Sequence, residues 1–200
     1  MLFSHIRHIT MLVCFLPSMV LASEVAVFAG GCFWCTQADF SKIKGVISTV
    51  VGFDGGVKKS PSYFQVASGK TRYVESVFVK YDPKAITYKE LVHKFLRTVD
   101  VTQANGQFCD KGAQYRSVIF YLNDQQKEVA LEELALIRPS FKRIYTQVLP
   151  HTSFYPAEDY HQHYAKKNKI RYKYYRWRCG RDQQLKNVWR HEANHSSSAQ

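Results

Sequence analysis

Acidic residues are scarce in this chain of 200 residues. It has 16 aspartates and glutamates against 28 lysines and arginines, and its formal net charge is +12. Neither an internal repeat nor a long linker is present, which excludes a repeat array and argues against several domains. Its apolar N-terminal run is short for a spanning helix, which needs about 20 residues. We therefore expect one domain with a sizeable core.

The first 22 residues have the layout of a secretory signal peptide. A weakly basic start precedes the apolar stretch from Ile9 to Val20, and the small residue Ala22 ends the segment. We expect cleavage after Ala22 and export to the periplasm. An uncleaved membrane anchor is the alternative.

Cysteine is also infrequent, and Cys14 would be removed with the signal peptide. Four cysteines then remain, namely Cys32, Cys35, Cys109 and Cys179. An even number of cysteines in an exported protein indicates disulfides. Cys32 and Cys35 form the obvious pair, and the other two are free to pair with each other, although the sequence does not fix the connectivity.

The segment Gly31-Cys32-Phe33-Trp34-Cys35 is the most informative in the chain. It follows an apolar run and precedes a predicted helix, so Cys32 is expected to begin that helix. Unpaired N–H groups and the macrodipole at this end favour an anion. We therefore expect the pKa of Cys32 to fall from about 8.5 to roughly 3.5–7.5. Cys35 lies one turn further, where a small distortion would permit a disulfide; a structural pair or half of a zinc site is the alternative.

A basic segment lies near the C-terminus. Between Lys166 and Arg178 there are seven basic residues and no acid, with tyrosines and a tryptophan between them. This pattern could bind nucleic acid. We favour an exposed segment whose rings pack inward while Lys and Arg extend into solvent, because an exported protein seldom meets nucleic acid. The charge can still attract acidic surfaces or anionic lipid.

Strand and helix patterns alternate along the chain. Strands are predicted at 25–29, 46–51, 74–81, 118–122 and 145–149, and helices at 32–43, 88–98, 124–137 and 158–167. Thr87 and Asn123 are expected to cap the second and third helices, and Pro139 to end the third. The remaining loops at 52–63, 103–115 and 152–156 are where functional residues tend to gather. The alternation predicts an α/β or α+β sandwich with helices packed on a sheet.

Several motifs occur in a fixed order. These are Gly-Cys-Phe-Trp after a strand, Gly52-Phe53-Asp54-Gly55-Gly56, Tyr63 twelve residues before Glu75, Tyr81-Asp82-Pro83, Asp110 with Gln114-Tyr115-Arg116-Ser117, and the run from Phe154 to Gln162. Together they resemble the peptide methionine sulfoxide reductases of the A type, over residues 25–162 and more weakly to 180. The resemblance implies an α+β fold with a mixed sheet, packed helices, a ferredoxin-like core and long irregular loops.

The implied organisation is a signal peptide at 1–22, a catalytic domain at 23–180 and a polar C-terminal tail at 181–200. In the tail, Leu185, Val188 and Trp189 could first dock one short helix.

The sequence departs from the family pattern in a few places. Cys35 stands where the family often has glycine, and Phe53 replaces a usual tyrosine. Arg72-Tyr73-Val74 precedes Glu75, where the family usually has Gly-His-Ala. The family's glycine-rich tail with recycling cysteines is not evident. These departures leave the reduction step intact and bear on how the enzyme is recycled.

The resemblance implies a role for each matching residue. A sulfoxide oxygen is a poor leaving group until it is protonated, so a thiolate nucleophile needs a nearby acid, such as a carboxyl kept neutral by burial. Phenols add donors without charge. The implied nucleophile is Cys32, which becomes a sulfenic acid; Phe33 and Trp34 bind the substrate methyl group; Glu75, Tyr63 and Tyr115 hold and protonate the oxygen; and Asp110 supports the site.

Each assignment has a simpler alternative. Glu75 could face solvent, although Val77 and Val79 share its face of the strand and look like core, and the two tyrosines could be ordinary core residues. His161 and His163 form a pair that could bind metal, with only Glu158 and Asp159 nearby. We expect no metal.

Recycling requires a second thiol. We predict that Cys35 resolves the sulfenic acid, with Cys179 as the alternative, and that Cys109 and Cys179 form a structural pair. The implied activity is reduction of the S epimer of methionine sulfoxide, free or in proteins, with no bound cofactor and an external thioredoxin-like dithiol as reductant. We expect a monomer that binds no nucleic acid. A thioredoxin-like disulfide exchanger and a basic binding module that uses 166–178 are the rival hypotheses.

Overall fold

The computed structural model describes residues 23–57 and 59–190. The predicted signal peptide at 1–22 and the end of the predicted tail at 191–200 lie outside the described residues. Inside the described ranges, no helix combines the length and the apolar character needed to cross a membrane.

The main sheet contains six strands. They are β1 (Glu24–Gly30), β2 (Val46–Asp54), β3 (Val74–Tyr81), β6 (Ser117–Tyr121), β7 (Gln147–Pro150) and β8 (Tyr155–Pro156), while β4 (Gly106–Gln107) and β5 (Asp110–Lys111) form a separate hairpin. The helices are α1 (Phe33–Phe40), α2 (Tyr63–Ala67), α3 (Tyr88–Leu96), α4 (Asp124–Ile137), α5 (Tyr164–Lys167), α6 (Lys169–Arg178) and α7 (Arg181–Val188).

The spatial order of the strands is β7-β6-β1-β3-β2-β8. Only the β6–β7 pair is parallel, and the other four pairs are antiparallel. Apart from the inserted α2 and the β4–β5 hairpin, the chain runs β1-α1-β2-β3-α3-β6, and the four strands of that unit lie side by side in the order β6-β1-β3-β2. This arrangement is the split βαβ unit of ferredoxin-like folds, which confirms the predicted fold class.

One face of the sheet carries most of the core. Phe28 on β1 stacks on Phe40 of α1 and Phe95 of α3, with ring centroids 4.9 and 4.8 Å apart. All three side chains are at most 1% exposed. Burying a side chain of this kind stabilises a fold by about 1.5–3 kcal/mol, so this cluster fixes α1, and the turn before it, against the sheet.

The predicted caps are present. Thr87 and Glu90 form a capping box at the start of α3, and the Asn123 side chain accepts from the Gln126 N–H at the start of α4. Helix α4 ends at Ile137, before Pro139, as expected.

The C-terminal part differs from expectation. The predicted helix at 158–167 is mostly turns, and only α5 is helical there, because His163 adopts a left-handed conformation with φ 53°. Sequence patterns did not reveal α6, because its aromatic and basic residues conceal the apolar period. The predicted loops at 103–115 and 152–156 contain the short strands β4, β5 and β8.

Helix α7 packs on the domain, in agreement with the short helix suggested by Leu185, Val188 and Trp189. Arg181 at its start is 1% exposed. Its guanidinium donates to the carbonyls of Gly30, at 3.1 Å, and Thr98, at 2.7 Å. This buried arginine therefore ties the C-terminal segment to the end of β1, directly before the cysteine motif.

Candidate active site

The turn between β1 and α1 places a thiol at the start of a helix. Gly31 has φ +82°, and a Cβ atom at this position would lie 2.5 Å from the Cβ of Gln107. Glycine is therefore required by both conformation and space. Cys32 follows as the N-cap residue, and its carbonyl accepts from the N–H groups of Cys35, at 3.1 Å, and Thr36, at 3.2 Å.

A cavity of about 130 Å³ opens beside this thiol. Every residue predicted for the catalytic and substrate-binding roles lines it, although these residues come from five separate segments of the chain. One further residue, from α6, was missed. The lining residues are Cys32, Phe33, Trp34, Tyr63, Glu75, Asp110, Tyr115 and Tyr175.

Glu75 lies on β3, on the face that Val77 and Val79 share, and is 2% exposed. It is therefore part of the buried site rather than a solvated side chain. The Phe33 N–H, at the start of α1, donates to its Oε2 atom at 3.0 Å. Burial outweighs this bond and raises the pKa of Glu75 to about 8. The carboxyl group is therefore protonated near neutral pH and can act as an acid.

The predicted low pKa of Cys32 is wrong for the free protein. Burial raises the pKa of this thiol well above its usual value, and its hydrogen bond with Cys35 acts in the same direction. The Cys32 thiol caps none of the helix N–H groups, and the Phe33 N–H donates to Glu75 instead. The N-terminus of α1 therefore donates a hydrogen bond to the carboxyl group of Glu75 rather than to the Cys32 thiol.

Cys35 is the more acidic thiol of the pair. Its pKa is lowered to about 7, first by the hydrogen bond with Cys32 and then by the positive charges of Arg181 and Arg176, against the opposing effect of burial. Neither thiol takes part in a disulfide, and both are buried.

Three tyrosine hydroxyls surround the cavity and remain neutral. Burial raises the pKa of Tyr63 to about 12 and also raises the pKa of Tyr115 and of Tyr175. The Tyr175 hydroxyl donates to Oδ2 of Asp110 at 2.7 Å, and the neighbouring Cys32 adds to the rise in the Tyr175 pKa. Burial in turn raises the pKa of Asp110. Tyr175 is therefore bonded to the second carboxyl group and lines the same cavity as the nucleophile.

The aromatic wall is held from behind by His161. The Trp34 indole N–H donates to Nδ1 of His161 at 3.1 Å. The centroid of the His161 ring lies 4.3 Å from that of Tyr63 and 5.1 Å from that of Phe33. His161 is 2% exposed, and burial lowers its pKa. A neutral imidazole can accept the indole proton, so His161 positions Trp34.

Two other residues of the run from Phe154 to Gln162 also support the site. Glu158 accepts from the Tyr63 N–H at 3.0 Å. The Gln162 amide bonds both backbone groups of Val51, at 3.0 and 2.9 Å. The sequence offered no physical signal for these roles beyond the motif itself.

Cys109 and Cys179 form a disulfide, as predicted. It joins the β4–β5 hairpin to the end of α6, so that the covalent link lies beside the Tyr175–Asp110 hydrogen bond. Oδ2 of Asp110 is 4.0 Å from the Cys179 sulfur.

Potential metal ligands are few in the described part of the chain. There, a single group of three His, Cys, Asp or Glu side chains has its ligand atoms within 4.8 Å of one another, and it consists of Cys109, Asp110 and Cys179. Since its two sulfurs are bonded to each other, this group offers one carboxylate and no thiolate.

Comparison with known proteins identifies relatives over most of the chain. The sequence family described as peptide methionine sulfoxide reductase matches residues 24–193. The peptide methionine sulfoxide reductase MsrA/MsrB of Vibrio cholerae is 44% identical over 177 residues, which are 86% of this chain and 46% of that protein. The chain thus spans about half the length of that relative. MsrA 2 of Rhizobium meliloti is 43% identical, with 88% of this chain and 89% of that protein covered.

Solved structures show the same likeness. Methionine sulfoxide reductase A of Corynebacterium diphtheriae superposes with a TM-score of 0.72 and 36% identity, over 74% of this chain and 76% of that one. Mxr1 of Saccharomyces cerevisiae in complex with Trx2 gives a TM-score of 0.52 and 25% identity, over 72% of this chain and 85% of that one.

Proposed function

This chain belongs to the peptide methionine sulfoxide reductase family and is a thiol-dependent methionine sulfoxide reductase, and we propose that its reaction takes place in the cavity around Cys32. One observation carries this proposal: a thiol and a protonated carboxyl group, those of Cys32 and Glu75, line the same small cavity. Reduction of a sulfoxide by a thiol needs these two groups and no bound cofactor.

In the first step, the Cys32 sulfur attacks the sulfoxide sulfur while Glu75 donates its proton to the sulfoxide oxygen, and the proton of the Cys32 thiol passes to the Glu75 carboxylate. The substrate gains two electrons and leaves as the thioether. Cys32 loses two electrons and becomes a sulfenic acid, so the oxygen is transferred from one sulfur to the other. The rings of Phe33 and Trp34 offer an apolar wall for the methyl group, and the hydroxyls of Tyr63 and Tyr115 are placed to bind the oxygen.

Tyr175 joins this set at the cavity wall. Its hydroxyl donates to Asp110 and lines the cavity together with Cys32, so it can help to orient the groups around the substrate. We assign Asp110 a positioning role, since it accepts the hydrogen bond of the Tyr175 hydroxyl.

In the second step, Cys35 attacks the sulfenic acid, which yields a Cys32–Cys35 disulfide and one water molecule. Cys35 is hydrogen-bonded to Cys32 and has a pKa of about 7, so a thiolate is available next to the sulfenic acid. Cys179 is the alternative, but it is bonded to Cys109.

An external dithiol then reduces the Cys32–Cys35 disulfide. The existence of a complex between Mxr1 and Trx2 supports a thioredoxin-like reductant for this chain as well. We further propose that the substrates are free methionine S-sulfoxide and oxidised proteins, that residues 1–22 direct export to the periplasm, and that the enzyme acts as a monomer.

The decisive experiment is turnover of the separate S and R epimers of a methionine sulfoxide peptide with a dithiol reductant. We expect thioether product from the S epimer only. Equal use of both epimers would contradict the assignment to the A type. Peptide mapping by mass spectrometry after one equivalent of substrate should show a Cys32–Cys35 disulfide, whereas a Cys32–Cys179 link would assign the resolving role to the C-terminal cysteine.

A further inference from the structure

Helix α6 presents an apolar stripe to solvent. Tyr172 and Tyr175 face the domain, as expected for rings that pack inward, with Tyr172 8% exposed. Three other large side chains face outward, against that expectation: Ile170 is 86% exposed, Tyr174 62% and Trp177 72%.

These three residues lie on one side of the helix. They occupy positions i, i+4 and i+7, which fall on one face at 3.6 residues per turn. The rings of Tyr174 and Trp177 are 5.9 Å apart. We call Ile170, Tyr174 and Trp177 the outer stripe of α6.

Cations flank the outer stripe on both sides. Helix α6 contains no acidic residue. Arg176 faces inward and pairs with Asp39 and Asp182. The remaining cations of the segment are exposed and surround the stripe: Lys166, Lys167, Lys169, Arg171, Lys173 and Arg178.

We propose that the outer stripe of α6 docks on the surface of an anionic phospholipid bilayer. A short helix with an apolar face and flanking Lys and Arg residues is the pattern of interfacial helices. Trp and Tyr favour the headgroup level of a membrane, where the ring is partly apolar and partly hydrated. Each nearby cation adds attraction to anionic headgroups, so both parts of the surface match the same partner.

Other occupants match only one part of the surface. A second copy of α6 would bring two basic rims together. A nucleic acid would use the cations and could stack on the rings, but Ile170, the most exposed residue of the stripe, offers no stacking face. An acidic protein would need a groove for a convex helix, whereas a lipid surface deforms around it.

Docking would leave the catalytic cavity accessible on the opposite side of the helix. Tyr175 lines that cavity and lies on the inward side of α6, away from the outer stripe. Since a helix with its side chains is about 10–12 Å across, the enzyme would act close to the membrane surface.

Vesicle binding of the full-length chain tests this proposal. Flotation is measured with phosphatidylcholine vesicles and with vesicles that also contain phosphatidylglycerol, at low and high salt. We expect binding to the anionic vesicles that weakens at high salt, as charges become screened. Residues 1–22 contain an apolar stretch that can itself bind vesicles, and they are present in every variant. The informative quantity is therefore the difference in vesicle binding between variants.

Two pairs of matched variants separate the stripe from general effects. Ile170→Ser/Trp177→Ser should weaken binding at least tenfold, while Leu131→Ser/Leu136→Ser, which removes exposed apolar side chains of α4, should leave it unchanged. Lys169→Glu/Lys173→Glu should weaken binding by about tenfold or more. Lys80→Glu/Lys84→Glu changes the net charge by the same amount elsewhere and should have a smaller effect.

Trp177 provides a direct readout. Bromine-labelled lipid should quench part of the tryptophan emission in the wild type, and this part should be absent in Trp177→Phe. The proposal is overturned if vesicle binding is equal for the two members of either variant pair, or if Trp177 emission is not quenched. The proposal is also overturned if the protein does not bind vesicles but binds polyuridylate or polyglutamate in a way that needs the cations and not the outer stripe. The partner would then be a nucleic acid or an acidic protein, respectively, rather than a bilayer.

Discussion

The two cysteine pairs of this protein differ in chemical state. Cys32 and Cys35, three positions apart, are buried and unbonded at the β1–α1 turn. Cys109 and Cys179 are 70 positions apart and form a disulfide that ties α6 to the β4–β5 hairpin. The same residue type therefore serves as a reactive pair in one region and as a covalent link in the other.

The neighbours of each pair account for the difference. The first pair lies between a protonated carboxyl group, Glu75, and two arginines that lower the pKa of Cys35 to about 7. Cys109 is exposed on its hairpin. The comparison indicates that the chemical surroundings of the cysteines separate the two pairs: the first pair has an acid and two arginines beside it, whereas the second is closed as a disulfide. The following predictions test this division of roles, from the largest expected effect on the reduction step to the smallest.

Replacing Cys32 should have the largest effect. Cys32→Ser removes the nucleophile, so we expect no thioether product even in the first turnover, measured by quench and chromatography with one equivalent of substrate. Cys35→Ser is the matched control at the other end of the same turn. It should yield one equivalent of product and then stall with a thioredoxin-like reductant. Stoichiometric product from Cys32→Ser would refute the assignment.

Removal of the acid should slow the same step without abolishing it. Glu75→Gln keeps the shape of the side chain and its bond from the Phe33 N–H, but it cannot donate a proton to the oxygen. Loss of general acid catalysis typically costs about 10²–10⁴-fold in rate. Single-turnover rates measure this loss directly, and a wild-type rate for the variant would mean that another group is the acid.

The same variant should be more stable than the wild type above about pH 5. Burial raises the pKa of Glu75 from 4.5 to about 8 in the folded protein. The folded state therefore favours the protonated form, and stability is lost as the pH rises between these two values. The glutamine of Glu75→Gln does not ionise, so the unfolding free energy of the variant should exceed that of the wild type by about 4 kcal/mol at pH 8. Urea unfolding at pH 4.5 and pH 8 checks this, and a difference independent of pH would argue against a neutral buried carboxyl group.

Much of the cavity was predictable because its residues lie in motifs with strong local signals. Cys32 follows a strand and two glycines, and Glu75 shares a strand face with Val77 and Val79, so burial could be expected from alternation alone. The pKa of Cys32 was not predictable. It depends first on the burial of the thiol, and the helix N–H that the thiol was expected to use is taken by Glu75, 43 residues away.

The contribution of the C-terminal region was much harder to predict. Tyr175 lies among basic residues, where a helix with an inward aromatic face cannot be separated from an exposed segment by composition. Arg181 looked like part of a polar tail, yet its burial depends on two carbonyl groups at the ends of β1 and α3. Hydrogen bonds of this kind, between residues far apart in the sequence, form only when the chain has folded, and no local sequence pattern predicts them.

Removal of the Tyr175 hydroxyl should test whether the C-terminal region takes part in catalysis. Tyr175→Phe keeps the ring but loses the hydrogen bond to Asp110. A hydrogen bond to a charged group contributes about 1.5–3 kcal/mol, so we expect a single-turnover rate about tenfold or more below the wild type. Tyr121→Phe, on β6, is the matched control. Equal rates for the two variants would restrict the reacting groups to those predicted from the sequence.

Breaking the Cys109–Cys179 disulfide should affect the reduction step least. Cys109→Ser and Cys179→Ser open a loop of 70 residues, and loss of such a link commonly lowers the unfolding free energy by about 2–4 kcal/mol. The Tyr175–Asp110 hydrogen bond does not need the disulfide, so the single-turnover rate at a temperature where both variants are folded should change by less than about threefold. Multiple turnover with a dithiol should continue in Cys179→Ser, because Cys35 still resolves the sulfenic acid. If Cys179→Ser instead stopped after one equivalent, as expected for Cys35→Ser, the two pairs would form one relay, and the division between a reactive and a structural pair would have to be abandoned.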